Sequence, residues 1–221
     1  MAFYVARGEP LYPAIARAAG EQFDRAIVDL RAVAVGSDKA VHQVRKRCKK
    51  LRGLLRLVRP GINDRLFQEC DQSIRAAALS LAEARDAAVR SVMIESLGGD
   101  SESGDQESAH PAAPAAEEAR RALSHAASLF DSWPSPEHVT DVFTDGFCRT
   151  YRRSRRALRA ADKNPSDENF HQLRKWVKYH WYQVRLLGKC GPKQLRKHRG
   201  ILREVGEVLG QAHDLANLEA S

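Results

Sequence analysis

Apolar residues recur every three or four positions along most of this chain, which is the spacing of helices that bury one face. Residues 41–56, with the sequence VHQVRKRCKKLRGLLR, show the pattern most clearly. Apolar groups lie on one side of the predicted helix, at Val44, Cys48, Leu51, Leu55 and, just beyond, Val58. Cations share an arc of roughly 120° on the opposite side: His42, Arg45, Lys46, Lys49, Arg52 and Arg56. This segment is therefore predicted to be a helix with one buried and one cationic face.

The same periodicity predicts an all-α fold for the whole chain. A first helix ends near Gly36 and buries Ile15, Ala18, Ala19, Phe23, Ile27, Leu30 and Val33. Ser37 or Asp38 is expected to cap the second helix, and Pro60 stops it. A third helix is expected from an Asn63 cap to about Leu97, and a fourth over about 115–130. The next is expected to start at a Ser135 cap with Pro136 in its first turn. The last two are expected from a Ser166 cap to Gly188 and beyond Pro192.

The cationic helix occurs twice. Residues 170–187, FHQLRKWVKYHWYQVRLL, share the string H-Q-(V/L)-R-K-x-x-K with the first copy at an offset of 129 positions. Leu81, Ala84 and Asp86 recur as Leu209, Ala212 and Asp214 at an offset of 128. Two motifs kept in order and spacing indicate a duplicated helical unit. The predicted organisation is a first helical repeat over 1–97, an acidic flexible linker over 98–114 and a second helical repeat over 115–221, together one domain.

The charge distribution points to anionic partners. The formal net charge is +8, but residues 98–118 carry six acidic residues and no Lys or Arg, which leaves +14 for the rest of the chain. Another basic stripe is predicted before the second cationic helix, at Arg149, Arg152, Arg153, Arg156 and Arg159. Such an excess of positive charge attracts phosphate-rich polymers or an anionic surface. On a purely structural hypothesis, the same charges only confer solubility on a helical scaffold.

Other sequence features narrow the class of protein. The spacings of Cys48, Cys70, Cys148 and Cys190 fit no common zinc or dithiol motif, so reduced thiols are expected. The N-terminal segment has no signal-peptide core, and no apolar run is long enough to span a bilayer, so a cytoplasmic location is expected. No Walker loop, G-x-S-x-G or H-E-x-x-H motif occurs. We therefore expect a protein that is not an enzyme and that needs no cofactor or metal.

The paired His-x-x-(Arg/Lys)-(Lys/Arg) helices, each followed by a Leu-x-x-Ala-(Arg/His)-Asp motif, resemble the CHAD family, the "conserved histidine α-helical domain". EPLYPAIARAAGEQFDRA is also similar to the first helix of that family. The resemblance implies two pseudo-symmetric antiparallel helical bundle halves around a basic groove or pore. It further implies non-catalytic binding of inorganic polyphosphate, with a link to polyphosphate granules, in a groove that would also accept phosphate or sulfate ions.

The resemblance assigns the groove to the two cationic helices and to the helix before each of them. Its lining would comprise His42, Arg45, Lys46, Lys49, Arg52, Arg56, His171, Arg174, Lys175, Lys178, Arg25, Arg152, Arg153 and Arg156. Two features depart from the family. Trp181 stands where the first copy has Arg52, so the two halves are expected to bind anion unequally, and family members often continue past the second Asp motif.

Two alternatives remain open on the sequence alone. RNA, DNA or any polyanion would be attracted to the same stripes, although no helix-turn-helix or other known nucleic-acid module is present. His42 and His171 either donate a hydrogen bond to phosphate or serve to cap and pack their helices.

Overall fold

The computed structural model describes residues 3–96, 112–133 and 135–219, and the side chains of 83–96 and 213–219 are not described. These residues form α-helices and one 3-10 turn, which confirms the predicted all-α class. The α-helices are α1 Leu11–Val33, α2 Asp38–Val58, α3 Asp64–Ser96, α4 Ala113–Asp131, α5 Val139–Lys163, α6 Asp167–Leu187 and α7 Lys193–Glu219, and the 3-10 turn is η1 Arg59–Gly61.

The buried sides predicted for α1 and α2 are nearly all confirmed. Every named apolar residue of both helices is buried except Ile27, which is half-buried. Between them, Gly36 has φ of +86°, a conformation that only glycine adopts without strain. The hydroxyl of Ser37 then accepts a hydrogen bond from the Ala40 amide at 3.3 Å. α2 ends at Val58 because Pro60 lacks the amide hydrogen that a continuing helix would need.

Most of the other predicted helix boundaries also agree with the structure. Asn63 Oδ1 accepts from the Leu66 amide at 2.8 Å and so caps α3, whose described core residues include Cys70, Ile74 and Leu81. Ser166 caps α6 by accepting from the Asn169 amide. The predictions for Ala84, Asp86, Asp214 and most of the acidic linker fall outside the described residues or side chains.

The predicted start of α5 is wrong. α5 begins at Val139 after His138, whose side chain makes no capping hydrogen bond, and Ser135 and Pro136 precede the helix. Pro136 lies beside Gly61 of η1, where a Cβ built on the glycine would be 3.8 Å from the proline Cβ. The segment before α5 therefore packs against η1, and the helix begins three residues after Pro136.

The chain divides into two compact units. Unit 1 consists of Met1–Ala19, Arg52–Phe67 and Trp133–Ser221, and unit 2 consists of Gly20–Leu51 and Gln68–Ser132. Each unit therefore draws on both of the predicted repeats, and the division into repeats at 1–97 and 115–221 stays a prediction.

Unit 1 is built on α5, α6 and α7. α6 packs against both of the other helices around a core of Ala161, Leu173, Val177, Val184, Leu202 and Leu209. The N-terminal segment packs against α6, because the Val5 amide donates to the Leu186 carbonyl at 2.8 Å and Phe3 meets Tyr182 edge to face. In unit 2, Phe23 of α1 contacts Phe130 of α4, and Arg47 of α2 pairs with Asp29 of α1 at 2.8 Å.

Candidate functional site

Two glycines let the end of α2 pack unusually closely in unit 1. A Cβ built on Gly146 of α5 would lie 1.9 Å from the Leu57 carbonyl oxygen, a distance that no side chain tolerates. A Cβ on Gly53 would lie 3.3 Å from the Tyr182 Cβ and 3.4 Å from the Tyr179 carbonyl oxygen of α6. Both contacts involve backbone or near-backbone atoms. The last turns of α2 are therefore held directly against α5 and α6.

A buried glutamine ties the three helices together at this point. Gln183 of α6 is 1% exposed, and its Nε2 donates to the Gly53 carbonyl at 2.9 Å and to Thr150 Oγ1 at 3.0 Å. Thr150 in turn donates to the Gly146 carbonyl at 3.0 Å. Because buried polar groups are costly without partners, this network fixes the relative positions of α2, α5 and α6.

Arginines from η1, α2 and α5 collect beside this junction. A cavity of about 320 Å³ is lined by Arg56, Arg59, Phe67, Arg149, Thr150, Arg153 and Trp176. A second cavity, of about 300 Å³, shares Arg149 and Arg153 and adds Arg152, Arg156 and Asp145. We call the six arginines the junction cluster: Arg56, Arg59, Arg149, Arg152, Arg153 and Arg156.

The junction cluster carries a large local excess of positive charge. Asp145 is the one carboxylate among the residues that line the two cavities, and it pairs with Arg149 at 2.8 Å. Arg59 pairs with Asp64, a residue that is 79% exposed at its side chain. Guanidinium groups at this density offer planar, paired hydrogen-bond donors to oxyanions.

Aromatic rings orient several of these guanidinium groups. The Arg56 guanidinium carbon lies 4.2 Å from the Tyr179 ring centroid, and Arg153 lies 5.4 Å from that of Trp176. Arg59 lies 4.7 Å from the Phe67 ring centroid. Such cation–π contacts restrict the side chains without neutralising their charge. The cluster is thus partly preorganised for an anion.

The structure brings together only some of the predicted site residues. Arg56, Arg152, Arg153 and Arg156 belong to the junction cluster, and Arg52 lies nearby, 5.6 Å from the Tyr179 ring centroid. His171 is exposed and Lys175 half-buried on α6.

Two predicted residues of α6 lie against α7. Arg174 Nη1 donates to the Gly206 carbonyl at 3.3 Å, and Lys178 Nζ would be 3.0 Å from a Cβ built on Gly206. Burial, and after it the charge of Arg174, lowers the pKa of Lys178, while Glu207 opposes the shift. These two cations therefore have a packing role against α7, made possible by the small residues Gly206 and Gly210.

The other predicted residues belong to unit 2. His42 and Lys49 are exposed on α2, whereas Arg45, Lys46 and, on α1, Arg25 are half-buried. Their helices are tied together by the Arg47–Asp29 pair and by Lys50, whose Nζ donates to Gln22 Oε1 at 2.8 Å. That these residues share one groove with the second cationic helix stays a prediction.

The sequence-based prediction missed residues that complete the site. Arg59, Phe67 and Trp176 line the first cavity, and Arg149 lines both. Arg149 belongs to the basic stripe that the sequence predicts on α5. The other three residues lie on three separate elements, and no sequence periodicity connects them.

The described part of the chain has few features of other kinds of site. Its four cysteines are free thiols, as expected. Within the same residues, no group of three or more His, Cys, Asp and Glu side chains could hold a metal ion. No helix there combines the length and the hydropathy that crossing a bilayer requires.

Comparison with known proteins identifies the family. A search of curated proteins and a search of solved structures each found no match. A family model described as the CHAD domain matches residues 17–220, nearly the whole chain. This match agrees with the duplicated His-bearing helices, and the chain belongs to the CHAD domain family.

Proposed function

We propose that this chain binds inorganic polyphosphate and does not transform it. The observation that carries the proposal is the junction cluster, in which six arginines line two cavities that share Arg149 and Arg153 and whose lining includes one carboxylate, Asp145. Membership of the CHAD family supports the same ligand, because that family is known to bind polyphosphate.

The chemistry of the ligand matches the chemistry of the cluster. Polyphosphate is a linear anion with about one charge per repeat and no bases, so a protein recognises it through several cations in register. Arginine suits this role because its guanidinium donates two parallel hydrogen bonds to a phosphate. Two cavities that share two arginines would hold consecutive phosphates of one chain.

Affinity would come from the number of contacts. Each solvent-facing ion pair contributes up to about 1 kcal/mol. If about six phosphates are neutralised, counterion release makes the logarithm of the binding constant fall with the logarithm of the salt concentration with a slope of roughly −4. This value takes the coefficient for single-stranded nucleic acid as an analogy. The cationic residues of the first His-bearing helix, His42, Arg45, Lys46 and Lys49, are proposed to bind phosphates as well.

The test is a titration with polyphosphates of defined length at two salt concentrations. Arg152→Gln/Arg156→Gln removes two exposed cations of the junction cluster, and Arg31→Gln/Arg121→Gln removes two exposed cations elsewhere. The cluster variant should weaken binding about tenfold and flatten the salt slope by roughly 1.4, whereas the control should bind nearly as the parent does. Equal losses in the two variants would reject a localised site.

A nucleic acid is the second candidate ligand, because Trp176 and Phe67 line the first cavity and aromatic rings can stack on bases. Competition separates the two candidates. On our proposal, polyphosphate displaces single-stranded RNA at a much lower concentration of phosphate groups. Equal competition per charge would indicate a general polyanion binder instead.

The absence of catalysis is tested separately. The pure protein is incubated with polyphosphate and Mg²⁺ or Mn²⁺, and free phosphate is measured. We expect no release above the rate without protein. Metal-dependent release that the Arg152→Gln/Arg156→Gln variant loses would show that the cluster serves a hydrolase.

A further inference from the structure

We propose that unit 1 contains a second, separate anion site, which binds a short oligophosphate between α6 and α7. Its cavity has a volume of about 370 Å³ and is lined by Trp181, Arg185, Arg196, Arg199, Gly200 and Arg203. We call its four arginines the α7 cluster. This site was not among those predicted from the sequence, and it does not depend on polyphosphate binding at the junction cluster.

Helix geometry explains why the α7 cluster forms. Arg196, Arg199 and Arg203 follow an i, i+3, i+7 spacing, which places them on one face of α7. Leu202 and Leu209 point into the unit 1 core and so fix the rotation of the helix. Arg185 completes the cluster from α6. The packing of α6 against α7 therefore brings four arginines into the lining of one cavity.

Little negative charge offsets this cluster. The residues that line the cavity, all of them in the described part of the chain, include no Asp or Glu. Arg203 pairs with Glu207 of its own helix, but the distance is 3.8 Å and both side chains are more than 60% exposed. Such exposed pairs are weak. A multiply charged anion would therefore meet donors that it can engage at small cost.

The size and lining of the cavity suit a small, multiply charged ligand. Gly200 lies between the arginines of α7, and a Cβ built on it would meet nothing within 4 Å. The missing side chain leaves open space at this point of the lining. The Trp181 ring forms a wall, held between Lys178 at 5.8 Å and Arg185 at 5.6 Å. The cavity falls in the size range of small-molecule sites, about 300–1,000 Å³, and four of its six lining residues are arginines.

The two clusters are distinct sites. They share no lining residue. Trp176 lines the first cavity, whereas Trp181 and Arg185 line the second. At about 100° per residue, Trp181 lies roughly 140° and Arg185 roughly 180° from Trp176 around the axis of α6. One oligophosphate molecule would therefore occupy one site or the other, and each site has a tryptophan of its own.

This arrangement permits a site-resolved experiment. The chain has three tryptophans, so a ¹⁵N–¹H correlation spectrum gives three indole signals, which Trp→Phe variants assign. The full-length protein is titrated with inorganic tripolyphosphate. We expect the Trp181 signal to shift along a saturable curve that differs from the Trp176 curve, while Trp133, which lines neither cavity, stays in place.

Variants then test the cluster. Arg199→Gln/Arg203→Gln should weaken the Trp181 response about tenfold and leave the Trp176 response unchanged. Lys193→Gln/Lys197→Gln removes two exposed cations of α7 that do not line the cavity, so it should change the Trp181 response less than twofold. Equal effects of the two variants would overturn the proposal.

A steric variant tests the cavity without altering any charge. Gly200→Leu places a side chain in the open space while keeping all four arginines, and it should reduce the Trp181 response at least fivefold. Gly20→Leu is the matched control, because a Cβ at this helical glycine of α1 also meets nothing within 4 Å. Unchanged binding by a folded Gly200→Leu protein would exclude the cavity as the site.

The outcomes separate this inference from the proposed function. A Trp176 response without a Trp181 response rejects the second site alone. A Trp181 response without a Trp176 response supports the second site, and the junction cluster is then judged by its own titration with longer polyphosphates. A parallel titration with a nucleoside triphosphate identifies the source of the oligophosphate group. Similar affinities would mean that the site recognises the phosphates, and tighter nucleotide binding would assign the base to the Trp181 wall.

Discussion

Replacing Gly146 by alanine should destabilise the protein and distort the junction cluster. The new Cβ would lie 1.9 Å from the Leu57 carbonyl oxygen and 2.6 Å from the carbonyl carbon. Because these are backbone atoms, no side-chain rotation relieves the clash, and α5 must move away from the end of α2. Overpacking of this kind costs about 3 kcal/mol, at the upper end of the usual range, and the better helix propensity of alanine offsets about 1 kcal/mol.

The net expected loss is about 2 kcal/mol of unfolding free energy, or a Tm lower by roughly 4–8 °C for a chain of this size. Urea unfolding followed by circular dichroism measures it. Gly20→Ala is the matched control, because its Cβ meets nothing within 4 Å and the same change in helix propensity should stabilise the protein by up to about 1 kcal/mol.

Polyphosphate binding by Gly146→Ala should also fall, since Arg149 and Arg153 follow one and two turns later on α5. If Gly146→Ala is as stable as Gly20→Ala and binds polyphosphate normally, then α5 does not approach α2 as described, and the basis of the junction cluster is wrong.

Three further predictions concern stability. Burial, and after it the neighbouring His198, lowers the pKa of His180 to about 4, so the unfolded chain binds a proton more readily than the folded one. The contribution of neutral His180 to the free energy of unfolding is complete above about pH 6.5 and is lost as the pH falls towards 4, by up to about 3 kcal/mol. Urea unfolding at pH 7 and at pH 4.5 measures this loss, and His180→Phe should reduce it. Gln183→Leu removes the hydrogen bonds to the Gly53 carbonyl and to Thr150 Oγ1 and, at about 0.5–1.5 kcal/mol each, should cost about 1–3 kcal/mol in the same assay. Ser166→Ala removes the α6 cap and should cost about 1 kcal/mol, and no change would show that the cap contributes nothing.

The helices were predictable because their determinants are local. The buried sides of α1 and α2 follow from a period of 3.6 residues, and the caps at Ser37, Asn63 and Ser166 follow from short polar side chains placed before apolar runs. The start of α5 was the exception. There, a favourable cap sequence does not start the helix, and Pro136 instead lies beside Gly61 of η1.

The site was only partly predictable, because a stripe of cations on a helix does not reveal what each side chain will face. Arg174 and Lys178 have the same motif positions as Arg45 and Lys49, yet they pack over the glycines of α7. Lys178 is consequently a poor choice for a charge reversal, since such a change would disturb this packing as well as any binding.

The amino-acid sequence by itself determined the all-α class, the helix periodicity, the cationic character and the family, because each of these depends on residue types at short, regular spacings. Only the tertiary structure decided which cations assemble. Arg59 and Trp176 join Arg153 because Gly53 and Gly146 allow backbones to approach closely, and Arg185 meets Arg199 because α6 packs on α7. These contacts depend on the shapes of distant segments, which no local pattern along the chain records.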